Sequence, residues 1–239
     1  MDAPEAKGQG GGRPGGRAWR QLATRLERGD TYVAVFILLI ATYFLVSLLP
    51  ENTWSRLVQE LAVGATLLIT LRTSHARLRL QRLARAGVVA GLVLTLVGSL
   101  VGGALALVHV VFMLLLLVTP FVILNRILRH QSVSIETIAG AIDVYVLFGL
   151  IFSMLYRSIA AIGGTPFFVQ TNHASANQFL YFSFVSLTTV GYGDLTANTN
   201  FGRSVVVLEP LLGQIFLVTT VARLVSLFRG PRARTGTDG

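Results

Sequence analysis

The sequence predicts an all-α integral membrane protein with six transmembrane helices and a re-entrant helix and loop between helices five and six. Three observations lead to this fold class. Of the 239 residues, 53% are hydrophobic and only 13% are charged, whereas soluble domains carry roughly 25% charged residues. The apolar residues form runs long enough to cross a bilayer. The last run is preceded by a short apolar stretch that ends in a glycine-containing turn.

Four of the spans are delimited by ordinary apolar runs, because about 20 apolar residues are needed to cross the hydrocarbon core. The second span is the least apolar of them, and its Glu60 has too little sequence context for a role to be assigned. Spans one, two, five and six cover residues 31–49, 57–71, 135–159 and 202–228.

Spans three and four lie in one apolar run, residues 86–127. As a single helix rising 1.5 Å per residue, this run would be roughly 63 Å long, about twice the 30 Å of a hydrocarbon core. It must therefore be two helices joined by a tight turn. We expect that turn between Gly98 and His109 and place it near His109.

Basic residues, nearly all of them arginine, cluster before span one, between spans two and three, after span four and after span six. By the positive-inside rule these segments are cytoplasmic. Both termini are then in the cytoplasm, and the loop before span six lies on the outer side of the plasma membrane. This orientation accounts for the net charge of +9 better than nucleic-acid binding does. We also expect anionic lipids at the cytoplasmic face.

An apolar stretch between spans five and six, residues 179–187, stops at a seven-residue segment, and the last long apolar run begins a few residues later. This segment resembles the selectivity filter of the potassium channel superfamily. The resemblance is strong over the last two spans and only architectural before them. The segment consists of Thr188, Thr189, Val190, Gly191, Tyr192, Gly193 and Asp194.

The resemblance implies that backbone carbonyl oxygens replace the water shell of K⁺ without trapping it by a charge. These oxygens would belong to Thr189, Val190, Gly191 and Tyr192, together with the Thr189 hydroxyl. Aiming successive carbonyls at one axis requires backbone angles that ordinary L-residues avoid and glycine accepts. Gly191 and Gly193 occupy alternate positions, as this geometry requires.

The resemblance also assigns the surroundings of the filter. The Tyr192 ring would point away from the axis and pack against a cuff that includes Tyr181 and Phe182, and Asp194 would anchor the outer mouth. The segment before the filter has its own helix signal, because Ser175 and Gln178 have the spacing of a capping box. We therefore expect a pore helix from Ser175 to about residue 187.

A single filter per chain implies a homotetramer, since four equivalent loops are needed to surround an ion and closed symmetry is usual for identical subunits.

In span six, Pro210 removes a backbone donor, and Gly213 lies where the family often has a hinge glycine. Two interpretations are possible at these residues: a gate hinge, or simple packing at a bent helix.

We expect Glu209 to brace the filter from behind, held by Ser183, Ser186 or a filter-loop amide. A charge facing the cavity or a proton sensor is the alternative. Asp143 is expected to pair with Arg126 or Arg129 at the cytoplasmic side.

The six-span plan resembles voltage-gated channels, but the fourth span has no arginine ladder. Arg126 and Arg129 lie at its inner edge, and the run of Arg79, Arg82 and Arg85 lies in the basic connection before span three. Charges outside the membrane field do no gating work. We therefore expect a lipid-facing basic segment there and no voltage sensing.

The sequence gives no support to an enzyme. The glycine pattern at residues 10–15 contains a proline and follows no strand, so it is not a nucleotide site. We expect a potassium channel without a cofactor. A potassium transporter and a nonconducting pore-fold sensor or subunit are the alternatives. We expect the chain to consist of a disordered or interfacial N-terminus (1–30), a four-helix peripheral domain (31–130), a pore domain (131–229) and a cytoplasmic tail (230–239).

Overall fold

The structure, a computed structural model, describes residues 31–50, 52–73, 78–101, 105–129 and 135–228. This part of the chain folds into helices without a β-strand. Residues 1–30 and 230–239 lie outside it, so the expectations for the two ends are not tested. The helices are α1 (Thr31–Leu48), α2 (Thr53–Thr73), α3 (Leu78–Val101), α4 (Leu105–Arg129), α5 (Ile135–Ile162), α6 (Ala176–Leu187) and α7 (Asn200–Phe228).

Six of these helices lie where the six spans are expected, and α6 lies where the short helix is expected. Three of them are long and apolar enough to cross a membrane. Spanning by α1, α2 and α4 stays a prediction, since the apolar stretches of α1 and α4 are shorter and α2 carries Arg56, Glu60 and Arg72. The three candidate spans among the described residues are Leu78–Val97, Thr137–Ile162 and Asn200–Ser226.

Two expectations about the third and fourth helices are wrong in detail. The long apolar run is divided between Val101 and Leu105, so His109 is inside α4 and not at the turn. The interval between the two helices is nevertheless inside the expected range from Gly98 to His109. Arg79, Arg82 and Arg85 are not in a connection either, because α3 already begins at Leu78. Arginine is a good helix former, and all three side chains are exposed to solvent or lipid at the start of the helix.

Helix α5 is the centre of the molecule, since it packs against α1, α4, α6 and α7. Its apolar side chains Val144, Leu147 and Ile151 are buried in one core with residues of α1, α2 and α4. Continuous burial along one helix is typical of a helix surrounded by others. The peripheral helices therefore pack directly on the helix that precedes α6.

Helix α1 also touches α6 directly. The Ser47 hydroxyl donates a 2.9 Å hydrogen bond to Oδ1 of Asn177. Below it, the Tyr43 ring meets the Phe184 ring edge to face, with 5.2 Å between the ring centres. The first helix of the chain thus contributes to the position of the short helix that precedes the glycine-containing turn.

Helix α7 has few partners within one chain. Its apolar side chains are exposed on several sides of the helix, which is costly in water and acceptable against lipid or a second protein surface. The exposed set includes Val207, Leu208, Leu211, Leu212, Ile215, Val218, Val221 and Val225.

Candidate functional site

The candidate site begins at helix α6, whose start is fixed by the predicted capping box. The Ser175 hydroxyl accepts from the Gln178 backbone N–H at 3.1 Å, and the Gln178 side chain accepts from the Ser175 backbone N–H at 2.8 Å. Both bonds satisfy donors that the first helical turn leaves free. With 12 residues, α6 is roughly 18 Å long, which is too short to cross a bilayer.

The chain after α6 is tied back to the helix through its N–H groups. The Thr189 N–H donates to the Ser186 carbonyl at 2.9 Å, and the N–H groups of Val190 and Gly191 share the Val185 carbonyl at 3.0 and 3.3 Å. These bonds satisfy the carbonyls at the end of the helix. They also hold three successive residues of the following segment close to the end of α6.

The backbone of this segment alternates in handedness. Thr189, Gly191 and Gly193 have φ angles of 60°, 54° and 78°, and the residues between them have negative φ. The sequence indicated this conformation for the two glycines only. Thr189 has a branched Cβ, for which a positive φ is strained. A Cβ added at Gly191 or Gly193 would meet no atom within 4 Å, so backbone conformation, rather than crowding, favours glycine at these positions.

The carbonyl groups of the segment are free of protein partners in the described part of the chain. No hydrogen bond among those residues ends on the carbonyl oxygens of Thr189, Val190, Gly191 or Tyr192. The Val190 and Tyr192 side chains are exposed as well. The four successive carbonyl oxygens are therefore available to solvent or to a cation.

Side chains at the exposed end of the segment form a small cluster with Tyr181 of α6. The Tyr181 hydroxyl donates to Oδ2 of Asp194 at 2.8 Å, and this hydrogen bond to a carboxylate raises the pKa of the Tyr181 hydroxyl. The Tyr181 and Tyr192 rings are parallel, with 6.4 Å between their centres. Tyr181 therefore contacts Tyr192, which the resemblance placed beside it, and also Asp194, which it did not.

Phe182 is not part of that contact. Its ring packs against Tyr156, Phe167 and Phe168, with ring centres 5.0 to 6.1 Å apart. Its ring points in a different direction from that of Tyr181, because residues 181 and 182 are one position apart on a helix and diverge by about 100°. Within one chain its ring contacts are with those three aromatic residues and not with Tyr192, so its place in the cuff around Tyr192 stays a prediction for the assembled pore. Phe182 instead fastens α6 to α5 and to the loop before it.

A buried carboxylate lies behind the segment. Glu209 of α7 is fully buried and accepts hydrogen bonds on both oxygens: Oε1 from the Ser183 hydroxyl at 2.5 Å and Oε2 from the Tyr156 hydroxyl at 2.6 Å. Ser183 is one of the partners expected from the sequence. Tyr156 is missed by sequence reasoning, since it is 53 residues away from Glu209 and carries no local signal.

Gly213 of α7 lies directly against the end of α6. An added Cβ there would approach Cδ1 of Leu187 to 2.7 Å and the Leu187 carbonyl oxygen to 3.4 Å. That same carbonyl accepts a 3.1 Å hydrogen bond from the Tyr145 hydroxyl, a second contact that sequence reasoning missed. Close approach explains the glycine, and α7 continues as a helix through Pro210 and Gly213.

Asp143 is placed differently from Glu209. Its carboxylate is fully buried in α5, and neither oxygen has a hydrogen-bond partner among the described residues. The side chains of Arg126 and Arg129, the expected partners, lie outside the described residues. The expected ion pair therefore stays a prediction.

The comparisons with known proteins agree with this location of the site. Residues 141–230 match a family model described as "Ion channel". Searches of curated proteins and of solved structures returned no match to the chain. The match begins in α5 and includes α6, the glycine-containing segment and α7. The chain is therefore a helical membrane protein whose residues 141–230 are similar to ion channels.

Proposed function

We propose that the protein is a potassium-selective channel formed by four copies of this chain. The observation that carries the proposal is the segment Thr189, Val190, Gly191 and Tyr192. Its carbonyls have no protein donor among the described residues, and left-handed backbone alternates along it. Alternation of this kind turns successive carbonyls toward one side of the chain. The similarity to ion channels supports conduction, and the selectivity for K⁺ is our inference from this backbone.

Uncharged carbonyls suit a monovalent cation that must also leave. Carbonyl dipoles compensate the lost hydration of K⁺, whereas a ring of carboxylates would hold a cation more tightly. The carboxyl end of α6 adds partial negative charge near the inner end of the segment. Asp194 is held at the opposite, exposed end by Tyr181. We propose that Tyr181 and Glu209 keep the segment in place and that Asp194 anchors its outer mouth.

Four copies are required because one chain supplies only one such segment. A single segment cannot surround an ion, and four-fold symmetry supplies the remaining oxygens. The exposed apolar face of α7 supports this assembly, since neighbouring subunits and lipid would cover it. In this proposal residues 131–229 form the pore and residues 31–130 a peripheral domain without voltage sensing. The pore needs no cofactor, and the chain's partners are three further copies and membrane lipids.

Flux through liposomes tests the proposal. We expect purified protein to pass K⁺ down its gradient and to exclude Na⁺, and we expect Gly191→Asp to abolish the flux. Gly164→Asp is a matched control, since Gly164 also has a positive φ of 65° with no atom within 4 Å of an added Cβ. It lies outside the segment, and this variant should retain the flux.

The other readings give different results in the same assay. A transporter would show flux that saturates with K⁺ concentration at rates far below those of a channel. A nonconducting subunit would show none. Equal loss of flux in the two glycine variants would indicate general damage and would count against a special role for Gly191.

A further inference from the structure

A second site lies between the peripheral helices and the loop that follows α5. It is a cavity of about 530 Å³, within the range of pockets that hold drug-sized ligands. Its lining residues belong to helices α2, α4, α5 and α6 and to residues 164–167 and 171–174. No part of the proposed conduction path is among the lining residues.

The described residues that line the cavity carry more positive than negative charge. Arg56 of α2 and Arg157 of α5 line it together with one acid, Glu60. Both arginines act electrostatically on Glu60 and on His109, which places the four side chains in one neighbourhood. Glu60 is already engaged, because it accepts a hydrogen bond from the Thr95 hydroxyl of α3.

Two of these groups have unused hydrogen-bonding capacity. The Arg56 side chain is half-buried and makes no hydrogen bond or ion pair within the described residues. Nδ1 of His109 is buried and also lacks a partner there. The fork of N–H donors of a guanidinium fits the oxygens of a phosphate or carboxylate.

We propose that this cavity binds a phosphate group, held by Arg56 and Arg157. The remaining wall is apolar, with Pro166, Phe167 and Phe179. A volume of about 530 Å³ and an apolar wall suit a phosphate that carries an organic substituent, such as a phospholipid headgroup. Free phosphate shares the same recognition chemistry. The proposal is independent of whether the pore conducts.

Binding to the purified full chain in an uncharged detergent tests the site. The probes are dihexanoyl phosphatidylglycerol, dihexanoylglycerol with the same chains but no phosphate, and inorganic phosphate, each titrated by calorimetry. We expect the phospholipid to bind and dihexanoylglycerol not to bind. Binding of inorganic phosphate with the same variant pattern would support a phosphate site that is filled from solution.

Three variants make the test specific. Arg56→Gln should weaken phospholipid binding roughly tenfold, because a charge-assisted hydrogen bond is lost. Arg72→Gln removes the same charge from the exposed far end of α2 and should leave binding unchanged. Glu60→Gln keeps an acceptor for Thr95 and removes the opposing charge, so binding should become a few-fold tighter.

The opposite signs expected for Arg56→Gln and Glu60→Gln separate a binding site from damage to the fold, which would weaken binding in both variants. The proposal is overturned if no phosphate-bearing probe binds. It is overturned equally if the phosphate-free lipid binds as well as the phospholipid, or if Arg56→Gln behaves like Arg72→Gln.

Discussion

The Tyr156 hydroxyl lies 2.6 Å from Oε2 of Glu209, and this hydrogen bond joins helix α5 to helix α7. The Ser183 hydroxyl donates to the other carboxylate oxygen, Oε1. The same hydroxyl oxygen lies 2.7 Å from the Gly149 carbonyl oxygen of α5. Three helices therefore meet at one buried carboxylate. A carboxylate without these donors would be costly inside the membrane region, so the three side chains depend on one another.

Tyr156→Phe removes one donor from this carboxylate and preserves the ring. A buried acceptor left without its partner costs about 1 to 3 kcal/mol, and we expect the free energy of unfolding to fall by about that amount. Thermal melting in detergent measures it, and K⁺ flux should fall as well. Tyr43→Phe is the control, since no hydrogen bond to the Tyr43 hydroxyl occurs within the described residues. Equal melting temperatures of the two variants would contradict the role of Glu209 as a brace.

Gly213→Ala distinguishes close packing from a gate hinge. The new methyl group would lie 2.7 Å from Cδ1 of Leu187, and overpacking of this kind costs about 1 to 3 kcal/mol. Leu187→Val removes the crowded methyl group and should restore part of the lost stability in the double variant. Melting temperatures of the two single variants and the double variant check this. Loss of flux at full stability, without rescue by Leu187→Val, would favour a hinge instead.

Thr189→Gly tests the strain in the segment. Threonine at a positive φ of 60° is disfavoured by about 1 to 2 kcal/mol, which offsets the entropic cost of a new glycine, about 0.5 to 1 kcal/mol. The variant should be at least as stable as the native chain, yet lose K⁺ selectivity because the Thr189 hydroxyl is gone. Thr188 has a φ of −80°, so Thr188→Gly should be destabilised. Destabilisation by Thr189→Gly as large as that by Thr188→Gly would argue against strain at this residue.

The local parts of this structure could be predicted from the sequence. The capping box at Ser175 and Gln178 depends on a four-residue pattern and is confirmed. The positive φ of Gly191 and Gly193 follows from residue type and is confirmed as well. Helix positions were predictable because apolar runs of span length have few alternative structures in lipid.

Contacts between distant residues could not be predicted in the same way. Nothing near Tyr156 or Tyr145 in the sequence shows that their hydroxyls reach Glu209 and Leu187. The ring contacts of Phe182 with Tyr156, Phe167 and Phe168 also join residues that are distant in the sequence. The placement of the turn near His109 was wrong, since His109 is inside α4. A lone polar residue marks a chain reversal less reliably than glycine does.

Tyr181 and Asp194 should act as a pair at the outer end of the segment. Tyr181→Phe and Asp194→Asn should each lower the ratio of K⁺ to Na⁺ flux several-fold, and the double variant should be no worse than the stronger single variant. Because the hydrogen bond raises the pKa of Tyr181, the donating hydroxyl is present at neutral pH and is lost only as the pH rises through that raised pKa. Flux ratios measured from neutral to alkaline pH test this, and additive effects of the two substitutions would show that the residues act independently.

The arrangement of the carbonyls around an ion is tested most directly by an experimental density map of the protein in K⁺ solution. We expect four chains around one axis, with the carbonyls of Thr189, Val190, Gly191 and Tyr192 facing it and ion density between them. Replacing K⁺ by Na⁺ should weaken that density. A map in which Gly191 lies far from any shared symmetry axis would contradict a conducting filter in this protein.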